Sequence, residues 1–264
     1  MTHRPVSGTP LAPRPRSLFP VWLAAVLALL WLIVHHLGIS FVTLGYGFTD
    51  MGEYFSRYGR PDFGDLPSYL GLMAVTLATA FWGTVFALVV AFILAPLAAR
   101  NLSPHPLVFR ATRELLNIMR ALPDVLLALF FVAAIGLGPM PGALAVGVPT
   151  AGFLAKFFAE SLERVDTGIY EGLASTGANF PQLVMYAGWP SILREALGFT
   201  LYILDRNVRM ASVLGLVGAG GIGAALHVTL SLFDYGRSAA LILVILVTIL
   251  LVDYASAWLR RRLT

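Results

Sequence analysis

Four polar residues, Asp205, Arg206, Asn207 and Arg209, interrupt the interior of a largely apolar run between Ser191 and Leu216, beyond Arg194 and Glu195 near its start. A guanidinium is planar, permanently charged and carries paired N–H donors. Two of them beside an amide therefore suit a tetrahedral oxyanion better than an ammonium would. A charge at membrane depth costs roughly 2.5 to 3.5 kcal/mol on insertion scales, so Arg206 and Arg209 need a compensating role. Three accounts stay open. Arg206, Asn207 and Arg209 face a pathway for an anion; or Asp205 and Arg209, four apart on one helical face, neutralise each other as structure; or these side chains snorkel from an interfacial position. Arg206 has no such local partner.

The glycines that follow, Gly218, Gly220, Gly221 and Gly223, match the pattern G-x-G-x-x-G letter by letter. A dinucleotide fold needs a strand before that pattern and an acidic residue about 20 positions on. Here the next acidic residue is Asp234 and a lipid-length run follows. The glycines instead predict close helix approach, or irregular backbone facing a cavity, and join the candidate pathway. No Walker sequence occurs, and the only lysine is Lys156, so the energy for any active transport must come from another subunit. The five histidines (3, 35, 36, 105 and 227) lack metal-ligand spacing, and there is no cysteine. The expectation is no metal, no cofactor bound by this chain and no catalytic residue.

The elements that position these groups follow from composition. A chain of 264 residues that is 58% hydrophobic and 12% charged is a polytopic membrane protein, predicted all-α with about six transmembrane helices. The net charge of +4 is scattered between apolar runs, which reports orientation and speaks against nucleic acid. Residues 1–17 read as a basic cytoplasmic tail, and 18–264 as the membrane domain. Spans are expected near 18–37, 69–95, 115–135, 143–161, 191–216 and 239–258. Gly38 to Ser68 reads as an outside loop, and the Gly-Leu-Gly-Pro-Met-Pro-Gly stretch from Gly136 as an outside turn. Within the third span, Arg120 and Pro123 read as structural, with Pro123 bending or restarting the helix. Both termini inside satisfies the positive-inside rule, leaving chiefly Arg57, Arg60 and Arg237 outside.

The most polar long connection lies between the fourth and fifth spans. Asp166 is placed to cap a short helix with Ile169, Tyr170, Leu173 and Ala174 as an apolar stripe, and Gly177 to end it in the left-handed conformation. Asn179 caps a second short helix with Pro181 in its first turn, and Pro190 marks the start of the next apolar run. Two short helices over about 166–189 should lie across the mouth of a bundle.

Glu171, Ala174, Gly177 six positions after the glutamate, and Pro190 thirteen after that glycine resemble the coupling loop of ATP-binding-cassette importer permeases. Gly172 and Leu173 replace the usual alanine pair. Arg120-Ala-Leu-Pro123, the long motif from Asn207 to Gly223, and the terminal Asp253 with its arginines narrow the resemblance to permeases of phosphonate and phosphite importers. That resemblance implies a type I importer permease in the bacterial inner membrane, working as a homodimer. It implies ATPase subunits docked on Asp166, Tyr170, Glu171, Gly172, Ala174, Gly177 and Pro190, with ATP bound on that partner. It further implies a periplasmic phosphonate- or phosphite-binding protein, and Arg206, Asn207 and Arg209 from both copies lining the path. A permease for another small solute such as an amino acid, or a secondary transporter, is the competing reading.

Overall fold

The computed structural model describes residues 18–38 and 41–263; the predicted basic tail at 1–17 lies outside them. All regular structure among the described residues is helical. The chain divides into two units, Met1–Ser56 and Arg57–Thr264. In the first, α1 (Phe19–His36) is 18 residues with no buried position, and its apolar surface requires a non-aqueous surrounding. The stretch expected as a loop is instead largely a helix, α2 (Phe41–Arg57). Gly45, Gly47 and Gly52 each cost about 1 kcal/mol in a helix, which made it read as loop. Leu44, Phe48, Met51 and Phe55 nevertheless recur at helical spacing, and that period prevails.

The second unit is built on α3 (Leu66–Ala98) and α6 (Pro139–Glu163). Ala87, Ala91 and Ala95 on α3, and Ala151, Ala155 and Ala159 on α6, are all buried and recur every four residues. Small residues at that spacing let two helices approach closely where lipid supplies no hydrophobic drive. A methyl on Gly83 would stand 2.8 Å from the Ala143 carbonyl, so the seam is backbone against backbone. The expected outer turn from Gly136 is shorter than predicted, because Pro139 and Pro141 fit the donor-free first turn of α6. At its other end α3 runs through Pro96 to Ala98 rather than leaving at the proline.

Around this pair lie α4 (Pro106–Ala121), α5 (Asp124–Ile135), α7 (Thr167–Ala174), α8 (Phe180–Gln182), α9 (Trp189–Leu214), α10 (Gly221–Ser231) and α11 (Tyr235–Leu263). Four helices, α1, α3, α6 and α11, are each long and apolar enough to cross a bilayer. Two bent pairs, α4 with α5 at 87° and the segment Phe180–Val217 with α10 at 44°, bring the total among the described residues to six when each pair is counted as one span. The break predicted at Pro123 is thus present, with the proline heading α5. Between the glycines and α11 lies α10, a helix too short to stand out by periodicity.

Candidate functional site

At the coupling end, Asp166 caps α7 by accepting from the Gly168 amide at 2.9 Å. Tyr170 turns inward and its hydroxyl donates to the Leu162 carbonyl at 3.2 Å; burial pushes its phenol above the usual tyrosine range. Leu173 packs on the core beside it, whereas Ile169 and Ala174 are exposed, so the buried stripe is narrower than predicted. Glu171 and Gly172 point outward to solvent-accessible surface. Gly177 has φ +83°, which an L side chain adopts only under strain, and it reverses the chain after α7.

Asn179 and Gln182 form a reciprocal capping box at the start of α8. The predicted separate second helix is not separate: α8 passes through a π turn, Leu183–Gly188, directly into α9. The wide turn has a local cause. Pro190 has no amide and its ring would strike the carbonyl one turn back; the π turn shifts the ladder, with the Trp189 amide donating to Val184. The Ser191 hydroxyl donates to the Ala187 carbonyl at 2.7 Å. Trp189 is fixed by stacking on Phe92 at 4.4 Å and edge contact with Phe158 at 5.6 Å.

Beside α7 the ends of α3 and α6 are tied to each other and to the middle of α4. Glu163 Oε1 accepts from the Arg100 amide at 2.7 Å and from Arg113 Nη2 at 2.9 Å. Arg113 Nε donates to the Ala98 carbonyl at 3.1 Å and Asn101 donates to the Leu162 carbonyl at 3.0 Å. Arg164 pairs with Glu195 on α9. The exposed face carrying Glu171 therefore rests on a cross-linked base.

The interior polar residues separate into three environments. Asp205 is buried and pairs with Arg209 on its own helix, the arrangement the i,i+4 spacing allowed. Asn207 is fully buried: its Nδ2 donates to Thr84 Oγ1 at 2.9 Å and its Oδ1 accepts from Thr150 Oγ1 at 3.0 Å. It bridges α3, α6 and α9. At 1.5 Å per residue, about 16 to 27 Å of α3 and α6 lies between this level and either helix end, so the bridge is near mid-depth. Arg206 reaches Asp124 Oδ2 on α5 at 3.0 Å and lies over the Phe153 ring at 5.3 Å. Arg120, whose stem packs against Gly152, lies over the same ring at 5.0 Å.

Sequence reasoning missed Asp124 and Phe153. An acidic residue in an apolar run was the available signal for Asp124; an aromatic in an apolar helix gives none.

Gly218, Gly220 and Gly221 all have positive φ. The Gly218 carbonyl accepts from the Gly138 amide at 3.1 Å, fastening the start of α6 to the hinge between α9 and α10. Thr76 Oγ1 accepts from the Ile222 amide at 3.0 Å and occupies the place a side chain on Gly221 would need. Gly223 sits against the Ser212 carbonyl. This is irregular backbone packed against a helix, with the Gly218, Ala219 and Ile222 amides engaged. Among the described residues no three His, Asp or Glu side chains gather to hold a metal ion.

Residues 83–264, which include both the coupling stretch and the arginine-bearing helix, match the family described as binding-protein-dependent transport system inner membrane components. The chain belongs to that family. As a transport component it is a multi-pass inner membrane protein and a permease subunit of an importer. It is 40% identical over 201 residues to the phosphite transport system permease protein PtxC of Stutzerimonas stutzeri, covering 76% of this chain and 73% of the relative. It is 37% identical over 236 residues to the putative phosphite transport system permease protein HtxC of the same organism, covering 89% and 83%. The phosphate-import permease protein PhnE of Mycolicibacterium smegmatis is 40% identical over 198 residues, 75% of this chain but 37% of that longer protein. Among solved structures, an inward-facing MetNI methionine ABC transporter chain superposes with TM-score 0.61 at 22% identity, covering 73% of this chain and 93% of that one. An amino acid ABC transporter crystallised with histidines gives 0.60 at 14% identity, covering 76% and 98%. The permease fold of ABC importers is therefore the fold of this chain.

Proposed function

We propose that this permease carries phosphite- or phosphonate-type oxyanions, working as a homodimer with two ATPase subunits docked on α7 and α8 and a periplasmic protein delivering the anion. Both termini are then cytoplasmic. The observation that carries this reading is α9: it begins at the coupling stretch and bears Arg206 and Arg209 at membrane depth, in a chain whose relatives are named for phosphite transport. Closure of the ATPase pair on ATP, transmitted through Glu171 and the outward face of α7, moves α9 and opens the interior to one side and then the other. The glycine hinge at Gly218, Gly220, Gly221 and Gly223 supplies the bend at the far end of α9. The anion site is weak, since tight binding along a pathway prevents release.

Reconstitution with the ATPase subunits and the binding protein in proteoliposomes tests this. Glu171→Ala or Gly177→Val is expected to uncouple ATP hydrolysis from uptake by tenfold or more while the permease still assembles; unchanged coupling removes the docking role. Uptake of phosphite or methylphosphonate, and not of an amino acid, is expected of the wild type. Amino-acid uptake instead favours the competing reading, to which the shared fold of the amino acid transporters belongs.

A further inference from the structure

We propose that Arg120 and Arg206 together form a tetrahedral-oxyanion site against the Phe153 ring, with Asp124 as its resident counter-ion, displaced when the anion binds. This rests on the oxyanion reading above and identifies its site. Four helices converge there: α4 brings Arg120, α5 Asp124, α6 Phe153 and α9 Arg206. The two guanidinium carbons lie 5.0 and 5.3 Å from one ring centroid, so they stand no more than about 10 Å apart, each attracted by the ring's quadrupole. Along α6, Phe153 is about 21 Å from the Pro139 end and about 15 Å from the Glu163 end. The cluster is deep in the membrane, where a pathway site belongs.

Two features point to a missing acceptor. Arg120 Nε and Arg206 Nη1 are both buried without a hydrogen-bond partner, an arrangement that folding normally avoids. A tetrahedral oxyanion offers several oxygens, each able to take a charge-assisted bond of about 2.7 to 2.9 Å, and meets both needs at once. The charges also differ from those at Arg209. Arg209 is neutralised by Asp205 on its own helix, whereas Arg120, Arg206 and Asp124 together carry one uncompensated positive charge.

The break at Pro123 explains why. Arg120 and Asp124 are four residues apart and on a continuous helix would pair, as Asp205 and Arg209 do. The 87° bend puts them on different helices, so Asp124 turns to Arg206 and Arg120 keeps its charge. Any movement at the bend then changes how firmly Asp124 holds Arg206, coupling the site to the conformation of the bundle. Asp124 thus competes with the anion in one state and yields to it in another.

The test is thermal unfolding of the purified permease–ATPase complex, titrated with methylphosphonate and phosphite against chloride at constant ionic strength. In the wild type both oxyanions are expected to raise the midpoint. Arg120→Ala and Arg206→Ala are expected to abolish the shift, and Asp124→Asn to lower the half-saturating concentration tenfold or more. Where Arg120→Ala does not assemble, Arg120→Lys keeps the charge but loses the fork, and is expected to weaken half-saturation at least tenfold. A wild-type response in either Arg120 variant overturns the site, as does unchanged or weaker binding in Asp124→Asn. Exchanging the pair, Asp124→Arg with Arg206→Asp, is expected to lose the oxyanion response; a stable exchanged protein that transports normally shows a structural pair and overturns the proposal. If no oxyanion shifts the wild type but an amino acid does, it is the oxyanion reading that fails. If oxyanions shift wild type and Arg120→Ala alike, only this site fails.

Discussion

Replacing Asn207 distinguishes a polar bolt between helices from a side chain that touches the transported ion. The carboxamide makes two side-chain hydrogen bonds, to Thr84 and Thr150, with no exposure. Interhelical bonds of this kind in membranes average about 0.6 kcal/mol each, so Asn207→Ala forfeits about 1.2 kcal/mol. The void left by the carboxamide adds about 1 kcal/mol. No further penalty arises from stranded groups: the Thr84 hydroxyl already donates to the Ala80 carbonyl at 2.7 Å, and Thr150 can turn to its own helix. The total is about 2 kcal/mol, or about 4 to 8 °C in midpoint for a chain of this size. Asn207→Asp places a carboxylate at the same depth and is expected to cost about 3 kcal/mol. Scanning fluorimetry of the detergent-solubilised complex reads both, with uptake measured in parallel on the fraction that assembles. A midpoint within 1 °C of wild type, together with lost uptake, would refute the bridging role and return Asn207 to the pathway.

Gly221→Ala must adopt a positive φ and collide with Thr76, breaking the bond to the Ile222 amide; a loss of about 2 to 3 kcal/mol and poor assembly are expected in a size-exclusion assay. Glu163→Gln keeps the shape of the base but removes the charge that Arg113 and the Arg100 amide share; about 1 kcal/mol is expected, visible as faster proteolysis near residues 98–106. Tyr170→Phe loses one hydroxyl bond, about 1 kcal/mol, and should loosen α7 in hydrogen exchange. Because burial raises the Tyr170 pKa, its neutral hydroxyl supports α7 fully below the ordinary tyrosine value, and that support is lost as pH rises through the folded value. The difference absorbance titration between wild type and Tyr170→Phe is expected to show one phenol ionising later than free tyrosine.

Local chemistry was legible in the sequence wherever a residue type has a single use. Asp166 and Asn179 cap helices, Gly177 reverses the chain and Pro123 breaks a span, because capping, left-handed φ and the missing amide depend on neighbours in sequence. Pairings across helices were not legible. Nothing near Arg206 in the chain points to Asp124, 82 positions earlier, and whether Asn207 faces a cavity or Thr84 depends on helix rotation. The join of α8 to α9 was hidden for another reason: Pro190 signals an end by rule, and only the compensating π turn lets the helix pass through it. The glycines match the dinucleotide pattern but lack its strand, which leaves close helix approach or irregular backbone; the Thr76 that receives the neighbouring Ile222 amide lies on a helix 146 residues away.

The unbroken passage from Phe180 through the π turn to Leu214 makes the base of the bundle and its charged interior parts of one stiff lever. From Trp189 to Arg206 is about 26 Å of helix, so a tilt of about 10° pivoting at Trp189 swings Arg206 by about 4.5 Å. That sweep exceeds the reach of any single hydrogen bond. A small stroke delivered at the base needs no relay of loops to unseat an ion pair deep in the membrane, and the Trp189 clamp between Phe92 and Phe158 is the fulcrum about which it would turn.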